Sequence, residues 1–202
     1  MLDDAPPVVG VLLAAGRGSR FGGDKLRTML HGERDAGVTL GVAAGRHLLE
    51  ALPASIAVVR SDDSQLAHDL SAIGLRVVAC TRADEGMGAS LACGVQATSD
   101  AAGWVVALAD MPWIAPATIR AVAQAITSGA DVAAPFHGGK RGHPVGFSRE
   151  RYADLATLTG DTGAKSIVEH AGEALVAIDV EDAGVLRDVD VRGDIIADPP
   201  RP

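Results

Sequence analysis

Aromatic residues are scarce: Phe, Trp and Tyr make up 3% of the 202 residues, although apolar residues reach 48%. A core almost without rings is assembled from Ala, Val, Leu and Ile, the composition of strands buried beneath covering helices. Cysteine is nearly absent as well. Cys80 and Cys93 are the two in the chain. They form neither a disulfide framework nor a zinc spacing, and read as two separate buried thiols in a reducing compartment. No block of Lys or Arg occurs, and the formal net charge is -8. That charge speaks against non-specific binding of nucleic acid or of an anionic membrane, so neither is expected as a partner. The longest apolar stretch, residues 8–15, is far too short to span a bilayer. Asp3 and Asp4 stand where a signal peptide would have a basic region and an apolar run. The expectation is a soluble, cytoplasmic protein.

What is present is an alternation. Short β-branched runs at 8–13, 56–59, 75–79 and 104–109 each lead toward a stretch with helical spacing. Val42, Gly45, Leu49 and Leu52 share one helix face, stopped by Pro53. Leu66, Leu70 and Ile73 share another, capped by Asp62, Asp63 or Ser64 and ended by Gly74. Leu91 and Val95 follow a Gly86-Met87-Gly88 turn, and Pro116 opens a helix with Ile119, Val122, Ala123 and Ile126 on one side. Short strands at 132–134 and 145–147 flank a Gly/His/Lys/Arg loop. Asp161 is placed to cap a helix carrying Ala164, Ile167, Val168 and Ala171, and a strand at 175–178 precedes Asp188-Val189-Asp190. No repeat or linker interrupts this order. It predicts one three-layer α/β domain over 1–202 with a mostly parallel sheet, a core over 8–191 and a frayed tail at 198–202. In such sheets ligands sit beyond the carboxyl ends of the strands.

The residues just after the strands are the informative ones. Leu13-Ala14-Ala15-Gly16-Arg17-Gly18-Ser19-Arg20-Phe21-Gly22-Gly23-Asp24-Lys25 follows the first strand. Its glycines let the backbone aim successive N–H groups at one point, a nest for phosphate oxygens, and Arg20 and Lys25 add mobile cations. A dinucleotide fingerprint would have glycine where Phe21 stands and an acid ending the second strand, where Arg60 lies. A Walker A loop would follow Gly18 and Gly23 with Lys and Ser or Thr, yet Asp24 intervenes and Leu26 follows Lys25. Asp110 ends the fourth strand at a rim where charge escapes full burial; it either caps the next helix or holds Mg2+ with phosphate oxygens and water. Gly86, Met87, Gly88 and Ser90 make an amide-rich helix start that either meets an anion or ribose or simply caps. Lys140-Arg141-Gly142-His143-Pro144 is a cationic, flexible loop, either a substrate contact or a solvated hairpin tip. Asp161 and Lys165 either bind substrate or decorate a helix. Asp190 is the candidate second acid, with Asp188 as the fallback. His31, His47, His68 and His170 read as ordinary residues, and no general base is assigned.

The pattern Leu-Ala-Ala-Gly-x-Gly-Ser-Arg-Phe-Gly-x-x-Lys over residues 13–25 resembles the signature of the MobA-like NTP transferases, most closely the molybdenum cofactor cytidylyltransferases. Further matches follow in the same order: Gly86 to Leu91, Ala107 to Pro112, Arg141 to Phe147, Thr159 to Lys165 and Leu186 to Asp190. The resemblance implies a Rossmann-like nucleotidyltransferase fold with a mostly parallel mixed sheet. It implies transfer of CMP from CTP to the phosphate of molybdopterin with release of pyrophosphate. Arg20, Lys25 and Asp110 are then catalytic, and Asp110 and Asp190 hold Mg2+. Leu13, Ala14, Ala15, Gly16, Gly18, Ser19, Arg20, Lys25, Gly86, Met87, Gly88 and Ser90 bind the nucleotide; Arg141, Gly142, His143, Pro144, Asp161 and Lys165 face the pterin. A molybdoenzyme or its maturation chaperone would receive the product. The chain departs from the family in having Val191-Arg192 where a Thr-Pro pair usually follows the second acid, which leaves Asp188 and Asp190 both open. Cytosine is preferred because guanylyl relatives usually read Leu-Ala-Gly-Gly where Leu13-Ala14-Ala15-Gly16 stands. Three alternatives stay open: transfer from GTP, transfer to a sugar phosphate or other small phosphate acceptor, and a non-catalytic nucleotide- or cofactor-binding carrier.

Overall fold

The aliphatic runs become the centre of a sheet, as β-branched side chains favour the extended backbone and pack on both of its faces. The computed structural model describes residues 6–18, 21–31 and 35–196, with only the backbone of Ile196. In it β1 (Val8–Ala14), β2 (Ser55–Arg60), β3 (Arg76–Cys80) and β4 (Gly103–Leu108) run parallel in the order β3-β2-β1-β4. β5 (Val132–His137), β6 (Lys140–Arg141) and β7 (Val145–Ser148) extend the sheet; β7 is antiparallel to β4 and β5, and β8 (Leu175–Asp179) runs parallel to β5. The result is one eight-stranded mixed sheet.

Strand alternation sorts the side chains into two cores. Leu12, Ala57, Val59, Val105 and Ala107 face α1 (Leu40–Ala51), α2 (Ser64–Ala72) and α4 (Pro116–Thr127). Val11, Ile56, Val58, Trp104 and Val106 face α3 (Met87–Gln96), α5 (Tyr152–Ala156) and α6 (Lys165–Ala171). Helices on both faces make the three layers that the alternation predicts. Trp104 is wholly buried, and its indole N–H donates to Thr98 Oγ1 at 2.9 Å, so the one polar atom of the ring is satisfied. Asp63 caps α2, its Oδ1 accepting from the Leu66 amide at 3.1 Å. Among the described residues no helix is long and apolar enough to cross a membrane.

Several local expectations need correction. Gly86-Met87-Gly88 is not a separate turn, because α3 begins at Met87 with Gly86 as its N-cap. Asp161 does not cap α6: that helix starts after Ala164, with no side-chain cap. Cys80, ending β3, and Cys93, on α3, are joined as a disulfide with Cα atoms 6.0 Å apart, not separate thiols. The crossover from β3 into α3 lays the helix back over the strand it has just left, so residues 13 apart face one another. The expected tail, 198–202, lies outside the described residues.

The chain returns to the carboxyl edge of the sheet through a short clasp. Asp182 Oδ2 accepts from the Ala115 amide at 2.8 Å and from Thr118 Oγ1 at 2.7 Å, capping the start of α4 from a distant segment; its Oδ1 accepts from the Gly184 amide at 3.0 Å. Val189, fully buried, then donates its amide to the Asp110 carbonyl at 3.0 Å. An Asp182→Ala variant is expected to lose about 2 kcal/mol, the scale of a cap plus a charged hydrogen bond. Urea unfolding would register this as a lower midpoint with an unchanged slope, and an unmoved midpoint would count against the clasp.

Candidate active site

The carboxyl ends of β1, β2 and β4 open onto a cavity of about 470 Å³. Leu13, Ala15, Gly16 and Gly18 form one wall, and Lys25 enters from below. Gly18 has φ +57°, and a Cβ there would sit 2.9 Å from Lys25 Cβ, so the absent side chain is what lets the lysine stem pass. After Asp24, at φ 42°, a single 3-10 turn over Lys25–Arg27 turns that stem inward. Lys25 is 8% exposed. Its Nζ lies 2.8 Å from Asp110 Oδ2 and 3.6 Å from Asp190 Oδ1. An ammonium this enclosed needs carboxylates, and two segments remote in sequence supply them. Asp190, rather than Asp188, makes this contact. Asp194 holds it there, its Oδ2 accepting from the amides of Asp190 and Val191 at 2.8 Å each. Those two amides hold the Asp194 carboxyl below the usual carboxylate range. The local turn is thus made by a side chain, without a Thr-Pro pair.

Two carboxylates aimed at one cation are a hard-oxygen donor set. Among the described residues no group of three or more His, Cys, Asp or Glu gathers to hold a metal. As a pair converging on one point, the Asp110 and Asp190 carboxylates would suit an ion that takes one or two carboxylates and completes its shell with phosphate oxygens and water, which is the habit of Mg2+.

Toward β2 and β3 the cavity is walled by charges that the sequence analysis did not assign to it. Arg17 donates to Asp84 Oδ1 from Nε at 3.1 Å and from Nη2 at 2.8 Å. Arg60, the last residue of β2, reaches the same oxygen with Nη1 at 2.9 Å and gives Nε to Asp62 Oδ1 at 3.0 Å. The hydrogen bonds from Arg60 and Arg17 pull the Asp84 carboxyl down to about 2. Arg60 was noticeable in the sequence only as the residue standing where a dinucleotide-binding acid belongs. Its position at the carboxyl end of a strand was the signal.

The other predicted nucleotide contacts divide. Gly86, Met87 and Ser90 line the cavity, and so does Asp161, which no longer serves as a cap. Gly86 adopts φ +115°, and a Cβ there would meet Asp161 Oδ1 at 2.4 Å, so the start of α3 and residue 161 close on each other. Gly88 does not line the cavity; its amide is spent on the Gly160 carbonyl at 2.8 Å. Ala14 points into the core under the sheet. Ser19 and Arg20 lie outside the described residues.

A second cavity, of about 210 Å³, adjoins the first through Leu13, Met87 and Leu108. Arg141, His143, Val145, Phe147 and Lys165 line it; Gly142 and Pro144 are buried beside it. The loop divides: Lys140 and Arg141 are exposed on the return arm of the β5–β6 hairpin, whereas the His143 amide donates to the Val185 carbonyl at 2.9 Å and ties the following residues down. His143 Nδ1 is sealed from solvent without a partner among the described residues. Burial, assisted by the Arg141 charge, lowers its pKa to about 4, so the imidazole is neutral at physiological pH. Its unfolded value is 6.5, so folding favours the neutral form. The stabilisation is full above 6.5 and drains away as pH falls toward 4, by on the order of 3 kcal/mol in total. A His143→Gln variant should show a shallower loss across that window in urea titrations at stepped pH. Parallel curves would refute the assignment.

A family model described as the MobA-like NTP transferase domain matches residues 10–175. The chain is 36% identical over 115 residues to a probable molybdenum cofactor guanylyltransferase of Chloroflexus aggregans; the match covers 57% of this chain but only 51% of that relative, about half its length. It is 28% identical over 201 residues to the purine catabolism protein PucB of Bacillus subtilis, covering 92% and 93% of the two chains. Among solved structures, Rv0371c of Mycobacterium tuberculosis superposes with a TM-score of 0.80 at 29% identity over 95% of this chain and 96% of that one. A manganese complex of Rv0371c superposes at 0.76 with 28% identity, over 94% and 96%. With the family model matching residues 10–175 and the fold shared with Rv0371c along almost the whole length, the chain belongs to the MobA-like NTP transferase domain family.

Proposed function

We propose that this protein transfers CMP from CTP to the phosphate of molybdopterin, releasing pyrophosphate, with Mg2+ held by Asp110 and Asp190. The observation that carries the reading is the enclosed Lys25 ammonium set between those two acids, under the glycine turn that follows β1. The triphosphate lies against that turn, where the amides of 16–18 and the cations Lys25 and Arg20 offset its charge. A phosphate acceptor is already anionic near neutral pH. The chain therefore needs no base to activate it.

An oxygen of the acceptor phosphate attacks the α-phosphorus, the bond to the bridging oxygen breaks, and pyrophosphate leaves with that oxygen. Lys25 meets the charge that gathers on the transferred group; Arg20 steadies the leaving pyrophosphate. Mg2+, when bound, would withdraw charge from the phosphate oxygens, and the manganese complex of a relative supports a divalent ion here. The second cavity receives the pterin side of the acceptor, with Arg141 and Lys165 at its mouth and His143 as a neutral hydrogen-bonding wall. Ala15, buried in the cavity wall, narrows the space beside the base and favours cytosine over guanine. A GTP-dependent version is the second reading, favoured by the guanylyltransferase relative. We further place the enzyme in the cytoplasm, as one domain handing its product to a molybdoenzyme or its chaperone.

The test is pyrophosphate release with each of four NTPs, with and without molybdenum-loaded molybdopterin. CTP is expected to be fastest and release to depend on acceptor; equal rates with GTP would remove the base assignment, and release indifferent to molybdopterin would remove the acceptor. Asp110→Ala and Lys25→Met should each lower turnover by about 10²–10³-fold, the scale for removing one preorganised charge from a transition state. A native chain that binds CTP yet releases no pyrophosphate with any acceptor would favour a carrier, and an Asp110→Ala variant that keeps its turnover would remove Asp110 from the mechanism.

A further inference from the structure

The order of strands along the carboxyl edge of the sheet assigns sides to the nucleotide. Asp110 follows β4, the glycine turn follows β1, Arg60 ends β2 and Asp84 follows β3, while β4 and β1 are neighbours and β2 and β3 lie beyond β1. The second cavity opens on the opposite flank, toward β7. On the reading given above, the phosphates sit at β1 and β4 and the acceptor at β7. The base is then left with the β2–β3 flank, where the wall is Arg17, Arg60 and Asp84.

That wall has a defined polarity. Both arginines engage Asp84 through Oδ1 alone, and Oδ2 carries no hydrogen bond among the described residues. A carboxylate can only accept, so Oδ2 calls for an N–H. Arg60 spends Nε on Asp62 and Nη1 on Asp84, and the remaining guanidinium N–H groups of Arg17 and Arg60 belong to the same cavity wall as Asp84. An acceptor flanked by donors complements a ring edge with an amine next to a lone-pair nitrogen, as in cytosine with its N4 amine and N3. Uracil puts a carbonyl oxygen where that amine would be, and two acceptors then face each other.

We propose that Asp84, its charge fixed by Arg17 and Arg60, selects the nucleotide by accepting a hydrogen bond from the exocyclic amine of the base. The proposal rests on the nucleotide reading of the main cavity but not on transfer itself. Its rival is a purely structural one, in which the Arg17–Asp84–Arg60 contacts merely strap three loops together. The two differ in what an amide at residue 84 does. Asp84 is well exposed, with its side chain 65% accessible, so its substitution does not threaten the core.

The experiment measures equilibrium binding of CTP and UTP to the full-length protein by calorimetry, with Mg2+ and without acceptor, for the native chain, Asp84→Asn and Asp84→Ala. The native chain is expected to bind CTP at least about tenfold more tightly than UTP, the scale of one hydrogen bond to a charged group. Asp84→Asn is expected to bring the two within about twofold, because its amide can turn an N–H toward the uracil oxygen; Asp84→Ala should also lose the preference, mainly through weaker CTP binding. A structural strap would weaken both nucleotides equally and keep their ratio, and that result overturns the proposal, as does a native chain indifferent to the amine. Should the native chain prefer GTP, the cytosine assignment fails, and GTP against ITP, which lacks the amine, is read by the same criterion. A protein that binds with this preference yet releases no pyrophosphate would sink the transfer reading and leave Asp84 in place.

Discussion

An ammonium group taken out of water is costly unless anionic oxygens meet it, and Lys25 is met by two carboxylates from segments remote from it and from each other in sequence. Much of the local architecture serves that meeting. Gly18 vacates the space that the lysine stem crosses. β4 stops so that Asp110 emerges at the rim, and the buried Val189, tied to the Asp110 backbone, brings Asp190 alongside. Asp194 and Asp182 fix the turns on either side. Mutating any of these supports acts on the site through Lys25, even when the mutated residue touches nothing that binds.

The sheet order explains how so short a chain separates its tasks. The carboxyl ends of β1, β2, β3 and β4 and the amino end of the reversed β7 share one edge, with Lys25 and Asp110 at the junction of β1 and β4. The second cavity and the arginine–aspartate wall then lie on opposite flanks of that junction. Reversal of β7 matters here, because it lets the loop carrying His143 reach the same edge from the far side of the strand.

Much of this was legible in the residues. The strands and helices from β1 to α4 followed from aliphatic periodicity, since both faces of the sheet are covered and each helix shows one apolar stripe. Lys25 stood out as a cation closing the glycine loop after β1, and Asp110 as a charge at the end of an apolar strand. Less visible were pairings that depend on tertiary approach. Arg17 and Asp84 are 67 residues apart and meet because their loops follow strands on the same flank of the sheet. Asp161 looked like a cap because it precedes a helix, but the helix starts later and the residue turns to Gly86 instead. The cysteine pair was hidden for a similar reason: proximity across a crossover leaves no trace in spacing. The turn that orients Asp190 depends on a side chain four residues downstream, which the missing Thr-Pro pair could not suggest.

Diffraction from crystals grown with CTP and Mn2+ tests the central claim most directly. The account predicts an anomalous manganese peak bonded to Asp110 and next to Asp190, with triphosphate oxygens against the amides of 16–18 and Lys25 Nζ in contact with the nucleotide. A metal peak away from Asp110, or a triphosphate bound outside the cavity beneath the glycine turn, would contradict it.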